Sequence, residues 1–107
     1  MKIKLALMHR DGEVVFHEVK ATLPFQVFGY TFAAHPAVNP DGSFKDPKKS
    51  GWVVSEASSG AMAGHGNTRR EVIEFVKETV KSVGADRVRM SIELQLSLLA
   101  DRRSLVA

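Results

Sequence analysis

The chain has 107 residues, 44% hydrophobic and 25% charged, a balance that suits one compact domain and argues against both a disordered chain and a two-domain one. It has no cysteine, so disulfides, thiolate zinc sites and a cysteine nucleophile are excluded. Fifteen Lys and Arg against 12 Asp and Glu leave a net charge of +3, which permits an anionic partner without demanding one.

The first element is a strand over residues 2–8. Ile3, Leu5 and Leu7 alternate with Lys2, Lys4 and Ala6, so one side is buried. The apolar run Ile3 to Met8 is too short for the core of a signal peptide, and His9, Arg10 and Asp11 cut it off. No stretch approaches the roughly 20 apolar residues of a membrane span. We therefore expect a cytoplasmic protein that does not engage a membrane. Asp11-Gly12 has the chemistry of a tight hairpin turn, in which the central residues take positive φ.

A second strand is expected over residues 13–23, with Val15, His17, Val19, Ala21 and Leu23 on one face and Pro24 as its end. Residues 25–34 read as a third strand, aromatic and β-branched, with Phe28, Tyr30 and Phe32 on one face and a bulge at Gly29. The segment from His35 to Gly51 has no periodicity and is rich in Pro, Gly and Lys, so a flexible surface loop is expected there. Trp52 to Ala57 form a fourth strand, Ser58-Ser59-Gly60 a turn, and Ala61 to Ala63 a short fifth strand.

A helix follows. Thr68-Arg69-Arg70-Glu71 is a capping box, Val72, Phe75, Val76, Val80 and Val83 line one face, and Gly84 supplies the C-terminal stop. Residues 87–98 alternate strictly. Val88, Met90, Ile92, Leu94, Leu96 and Leu98 fall on one side, and Arg89, Ser91, Glu93, Gln95 and Ser97 on the other, which predicts a final strand. The Leu, Gln, Glu and Met content of this segment favours helix and pulls the other way. A loose tail is expected from about residue 100. The fold class is then α+β, one domain over 1–107. It has an antiparallel sheet of four to six strands and one amphipathic helix on one face, in the order β-β-β-β-(β)-α-β, with the other sheet face open to water.

No motif commands a chemistry. The four histidines, His9, His17, His35 and His65, lack the HxxxH and HExxH spacings of a metal site. Ser58 and Ser59 lie in no GxSxG elbow, and a P-loop is absent. No enzyme, metal or cofactor is expected. The most suggestive stretch is Gly64-His65-Gly66-Asn67-Thr68-Arg69-Arg70. Glycines allow close backbone approach, helix-start amides attract anions, and two arginines add charge. His65, Gly66, Asn67, Thr68, Arg69 and Arg70 are accordingly the candidate contacts for an anion or a partner. The same residues also read as ordinary loop and cap chemistry.

Residues Gly51-Trp52-Val53-Val54-Ser55-Glu56, Ser59-Gly60, Gly66, Thr68-Arg69 and Glu71-Val72-Ile73 resemble a pattern of small uncharacterised bacterial and prophage proteins. The resemblance covers about a third of the chain and implies strand, turn and capped helix in a bacterial accessory protein, with no activity. Two functions follow as expectations. The first is a non-enzymatic binding or interaction module directed at another protein, with a homodimer through a sheet edge as one form. The alternative is a nucleic-acid or phosphate binder that uses the basic residues of 64–70, with Lys45, Lys48, Lys49, Arg87, Arg89, Arg102 and Arg103 as further charge.

Overall fold

A computed structural model describes residues 1–8 and 14–106. Among the described residues the fold is α+β, with two antiparallel sheets and three helices. Strands β1 (Lys2–Met8) and β2 (Val14–Lys20) form a two-stranded ladder. Strands β3 (Thr22–Val27), β4 (Tyr30–Pro36), β5 (Trp52–Glu56) and β6 (Met62–Gly66) form a four-stranded sheet in that order. The short helix α1 (Pro47–Ser50) precedes β5, and α2 (Arg69–Val83) and α3 (Ala85–Val106) complete the chain. The expected Asp11-Gly12 turn and His9 lie outside the described residues.

The expectation of one sheet with a wet face does not hold, because both faces of the four-stranded sheet are covered. On one face Phe32, Ala34 and Val54 join Val72, Ile73, Val76 and Val80 of α2. On the other, Ala33 joins Ile3, Leu5 and Val19 of the β1–β2 hairpin and Ala21, which follows it. The molecule is thus layered as hairpin, sheet and helix. Alternation along β4 and β5 sends successive residues to opposite layers.

Pro24 does not end a strand; it sits inside β3. It is tolerated there because β3 is an edge strand and its register against β4 shifts between Thr22 and Phe25. The chain changes sheets at Ala21, between β2 and β3. The expected third strand over 25–34 is instead a hairpin. Val27 pairs with Tyr30, and the two residues between, Phe28 and Gly29, have φ of 54° and 82°. Two positive φ values in a two-residue loop define the mirror-image turn that matches strand twist. Glycine meets that demand at Gly29, but Phe28 is a bulky residue held left-handed and 45% exposed.

The segment between β4 and β5 carries more structure than its composition suggests. Asn39 N–H donates to the Ser43 carbonyl at 2.8 Å, Val38 bridges to Phe44, and the Asp46 carboxylate caps α1 through the Lys48 amide at 3.0 Å. The capping box is partly as expected, since Thr68 Oγ1 accepts from the Glu71 amide at 3.2 Å. Phe75 and Val83 of its expected apolar face stay 56% and 45% exposed.

The largest correction concerns residues 87–98, which are helical rather than extended. Leu, Met, Gln, Glu, Arg and Ala dominate 85–106 and no Gly or Pro interrupts them, so the segment can satisfy its own backbone as a helix. A strand there would need a ladder partner. Among the side chains described in α3, Val88 and Ile92, one helical turn apart, are buried, at 8% and 5% exposure, and both join the core beneath α2. Leu94 lies about 160° around the helix from Ile92 and faces away.

Two stability outcomes follow. Ile92→Ala should cost about 2–5 kcal/mol in urea melts, from lost burial and a cavity, whereas Leu94→Ala should cost a small fraction of that. Equal losses at the two sites would restore the strand. Phe28→Asn should raise stability by about 1 kcal/mol, because Asn accepts left-handed backbone and little burial is lost. A destabilised variant would show that the Phe28 ring has a packing role that outweighs its backbone.

Candidate functional site

The glycine-rich stretch before α2 is not a loop. Gly64, His65 and Gly66 lie in β6, paired with Val54, Val53 and Trp52 of β5. The small size of the two glycines serves packing: a Cβ on Gly64 would stand 2.5 Å from Val76 Cγ2 of α2, and one on Gly66 3.2 Å from Val72 Cβ. His65 Nε2 lies 2.9 Å from the Ser50 carbonyl, tying β6 to the end of α1. Asn67 is exposed, and Thr68 is engaged as the cap. The Arg69 guanidinium lies over the Trp52 ring, 4.9 Å from its centroid. Arg70 is exposed beside it, in a shallow hollow with Leu23, Ile73 and Glu74. Of these six residues, His65, Gly66, Thr68 and Arg69 are engaged by internal contacts, and Asn67 and Arg70 are exposed.

Sequence reasoning passed over two buried polar groups. His35 and Ser55 face the hairpin layer from neighbouring strands and are 2% and 1% exposed. His35 Nδ1 lies 2.8 Å from the Pro36 carbonyl, which can only accept, so Nδ1 carries the proton. Nε2 then accepts from Ser55 Oγ–H at 2.8 Å. This is the order of a nucleophile, a base and an orienting group. His35 and Ser55 line a cleft of about 540 Å³ with Leu5, Leu7, Val38, Val53 and Met62. Burial lowers the His35 pKa, against a smaller opposing effect of the Pro36 carbonyl.

The second group is Glu56, 2% exposed, whose carboxylate binds the turn that follows it. One oxygen accepts from the Ser58 amide and hydroxyl at 3.0 and 2.5 Å, the other from those of Ser59 at 2.7 and 2.6 Å. Four donors compensate a buried charge that would otherwise be costly. The signal was present in Ser-Glu-Ala-Ser-Ser-Gly, where a carboxylate precedes two hydroxyls at turn spacing. Among the described residues no three His, Asp or Glu stand together as a metal site.

The surface feature that remains is apolar. Met90, Leu94 and Leu98 are 64%, 62% and 49% exposed and recur every four residues along α3, so they form one stripe on its outer side. On the inner side, Val88 and Ile92 border a gap of about 190 Å³ with Phe32, Val80 and Val83. Arg87 sits on the stripe's flank, also exposed. No helix of the described residues is long and apolar enough to cross a membrane. Comparison with protein-family models, curated proteins and solved structures finds no match to this chain.

The His35–Ser55 pair should make stability depend on pH. A folded-state pKa below the ordinary 6.5 means the unfolded chain binds the proton more readily. Stability is therefore full above about pH 6.5 and falls as the pH drops through that value toward the lowered one. Urea melts at about pH 7.5 and about pH 5.5 should show this loss, and it should shrink in His35→Gln. Ser55→Ala should cost about 1–3 kcal/mol at neutral pH, because Nε2 loses its donor. A wild-type melt that is flat in pH would refute a neutral, buried His35.

Proposed function

We propose that this chain is a non-enzymatic protein-interaction module, a bacterial accessory protein of the cytoplasm, and that α3 is its docking element. The observation that carries the reading is the stripe of Met90, Leu94 and Leu98, three large apolar side chains in continuous helical register with solvent over them. Helix faces of this kind engage partners through residues four apart. A sheet edge is the weaker docking element: β3 carries Pro24 and a register shift, and β6 is five residues long. The nucleic-acid alternative would draw on Arg69 and Arg70. Arg69 already lies over Trp52, and the glycines beside it are consumed by the β6–α2 contact, which favours the protein-directed reading.

A photoreactive benzophenone side chain at position 94 of the full chain should give polypeptide adducts on irradiation in cells. The same group at position 89, on the far side of α3, should give few. Absent adducts at 94, or equal yields from both positions, would overturn the docking role of α3. Low-salt binding of generic DNA or RNA, with a shallower salt slope after Arg69→Ala/Arg70→Ala, would instead support the alternative.

A further inference from the structure

We infer that the β1–β2 hairpin is an acid-released cover of the four-stranded sheet: a proton on His35 detaches it, while the sheet and α2 stay folded.

The hairpin is held by a small contact. Among the described residues its two strands form a ladder of their own, and the chain leaves that ladder for the four-stranded sheet at Ala21. The apolar contact between the two layers is one-sided. Ile3, Leu5, Val19 and Ala21 are buried from the hairpin side, but the sheet side answers with Ala33, and with Val38 and Ala57 half-buried at the margin. The remainder of that sheet face is Val53 and the His35–Ser55 pair. The opposite face sets Phe32 and Val54 against Val72, Ile73, Val76 and Val80 of α2. Local opening follows the layer with the fewest apolar contacts, which here is the hairpin.

His35 stands in that layer with both ring nitrogens engaged. Nδ1–H donates to the Pro36 carbonyl and Nε2 accepts from Ser55 Oγ–H, each at 2.8 Å. A proton on Nε2 either sets two donors against each other or turns the Ser55 hydroxyl away. It also places a charge inside the layer. None of the described residues lining the cleft with His35 is charged: β1 supplies Leu5, β5 Val53, β6 Met62 and α3 Gln95. The titratable groups on the inner side of the hairpin are His17, opposite Leu5 in the ladder, and Asp41 beside it. Lys4 and Glu18 alternate to the outer side and are exposed. Glu56 is held by Ser58 and Ser59. A charge on His35 is therefore costly while the hairpin is shut and becomes hydrated once it lifts. Burial keeps the closed-state pKa below 6.5. As the pH falls through about 6.5, the opened His35 takes a proton that the closed one refuses, and the open form gains.

Thiol labelling of the full chain tests the inference, since the sequence has no cysteine of its own. Ala33→Cys and Ala34→Cys place single thiols on adjacent residues, both 0% exposed, the first under the hairpin and the second under α2. Dithiodipyridine reacts with thiols in acid, and Ser82→Cys, at an exposed position, sets its intrinsic rate at each pH. Between about pH 7.5 and about pH 5.5, labelling of Ala33→Cys relative to that reference should rise about 3- to 10-fold. The upper value is the change in proton binding by a freed histidine of pKa 6.5 over that interval. Ala34→Cys should not change. Adding His35→Gln to Ala33→Cys should remove the rise, and adding His17→Gln should leave it. Equal rises at 33 and 34 mean that the whole chain unfolds, and they overturn the inference. So does an unchanged rate at 33, or a rise that follows His17 instead of His35. Amide exchange on the wild type repeats the test without any substitution. After correction for intrinsic chemistry, β1 and β2 amides should lose more protection in acid than those of β5, and a uniform or absent loss overturns the inference as well.

Discussion

The structure hangs on the central pair of strands, β4 and β5, which are buried on both faces at once. Phe32, Ala34 and Val54 look toward α2, and Ala33, His35, Val53 and Ser55 look toward the hairpin. Two layers held against one sheet leave little room for bulk, and the pair carries three alanines or serines among these seven positions together with two valines. A polar group inside such a layer must find its partner there. His35 does so with Ser55 and the Pro36 carbonyl, and Glu56 with the two serines that follow it. The buried polar residues therefore bond to one another and to the backbone within these layers.

The parts of this fold that were legible in the sequence are those governed by local rules. Ile3 and Leu5 alternate and are buried as a strand requires; Thr68 caps α2 as its capping box predicts; Ser58-Ser59-Gly60 turns the chain. What escaped was set by other layers. Phe28-Gly29 was not recognisable as a turn because Phe is a poor left-handed residue, and tertiary packing of the flanking strands outweighs its preference. Pro24 reads as a breaker in isolation, but only the sheet order reveals that its strand is an edge. The hairpin layer was invisible because the second face of β4 and β5, with His35 and Ser55, looks half polar until the two side chains are seen to pair.

The candidate contacts at 64–70 illustrate the same limit at the level of a site. Glycines beside a helix start suggest a cradle for an anion, yet here the missing side chain of Gly64 makes room for Val76, a neighbour that no local pattern announces. Arg69 likewise reads as free charge, whereas its guanidinium lies on Trp52, seventeen residues earlier in the chain. A residue type states what a position can do. Whether it is available is decided by the layer packed against it.

The final helix shows how one pattern can serve two structures with opposite consequences. Alternation over 88–98 places six apolar residues on one face of a strand, and a strand would have concealed all of them. A helix of the same residues turns Val88 and Ile92 inward and Met90, Leu94 and Leu98 outward. The helix prevails because it closes its own backbone hydrogen bonds without a ladder partner. The apolar side chains left outside are then a direct result of strand-like spacing on a helical backbone. Scattered leucines on a surface need no explanation. These three fall at i, i+4 and i+8, so they form one continuous stripe along α3 rather than a scatter.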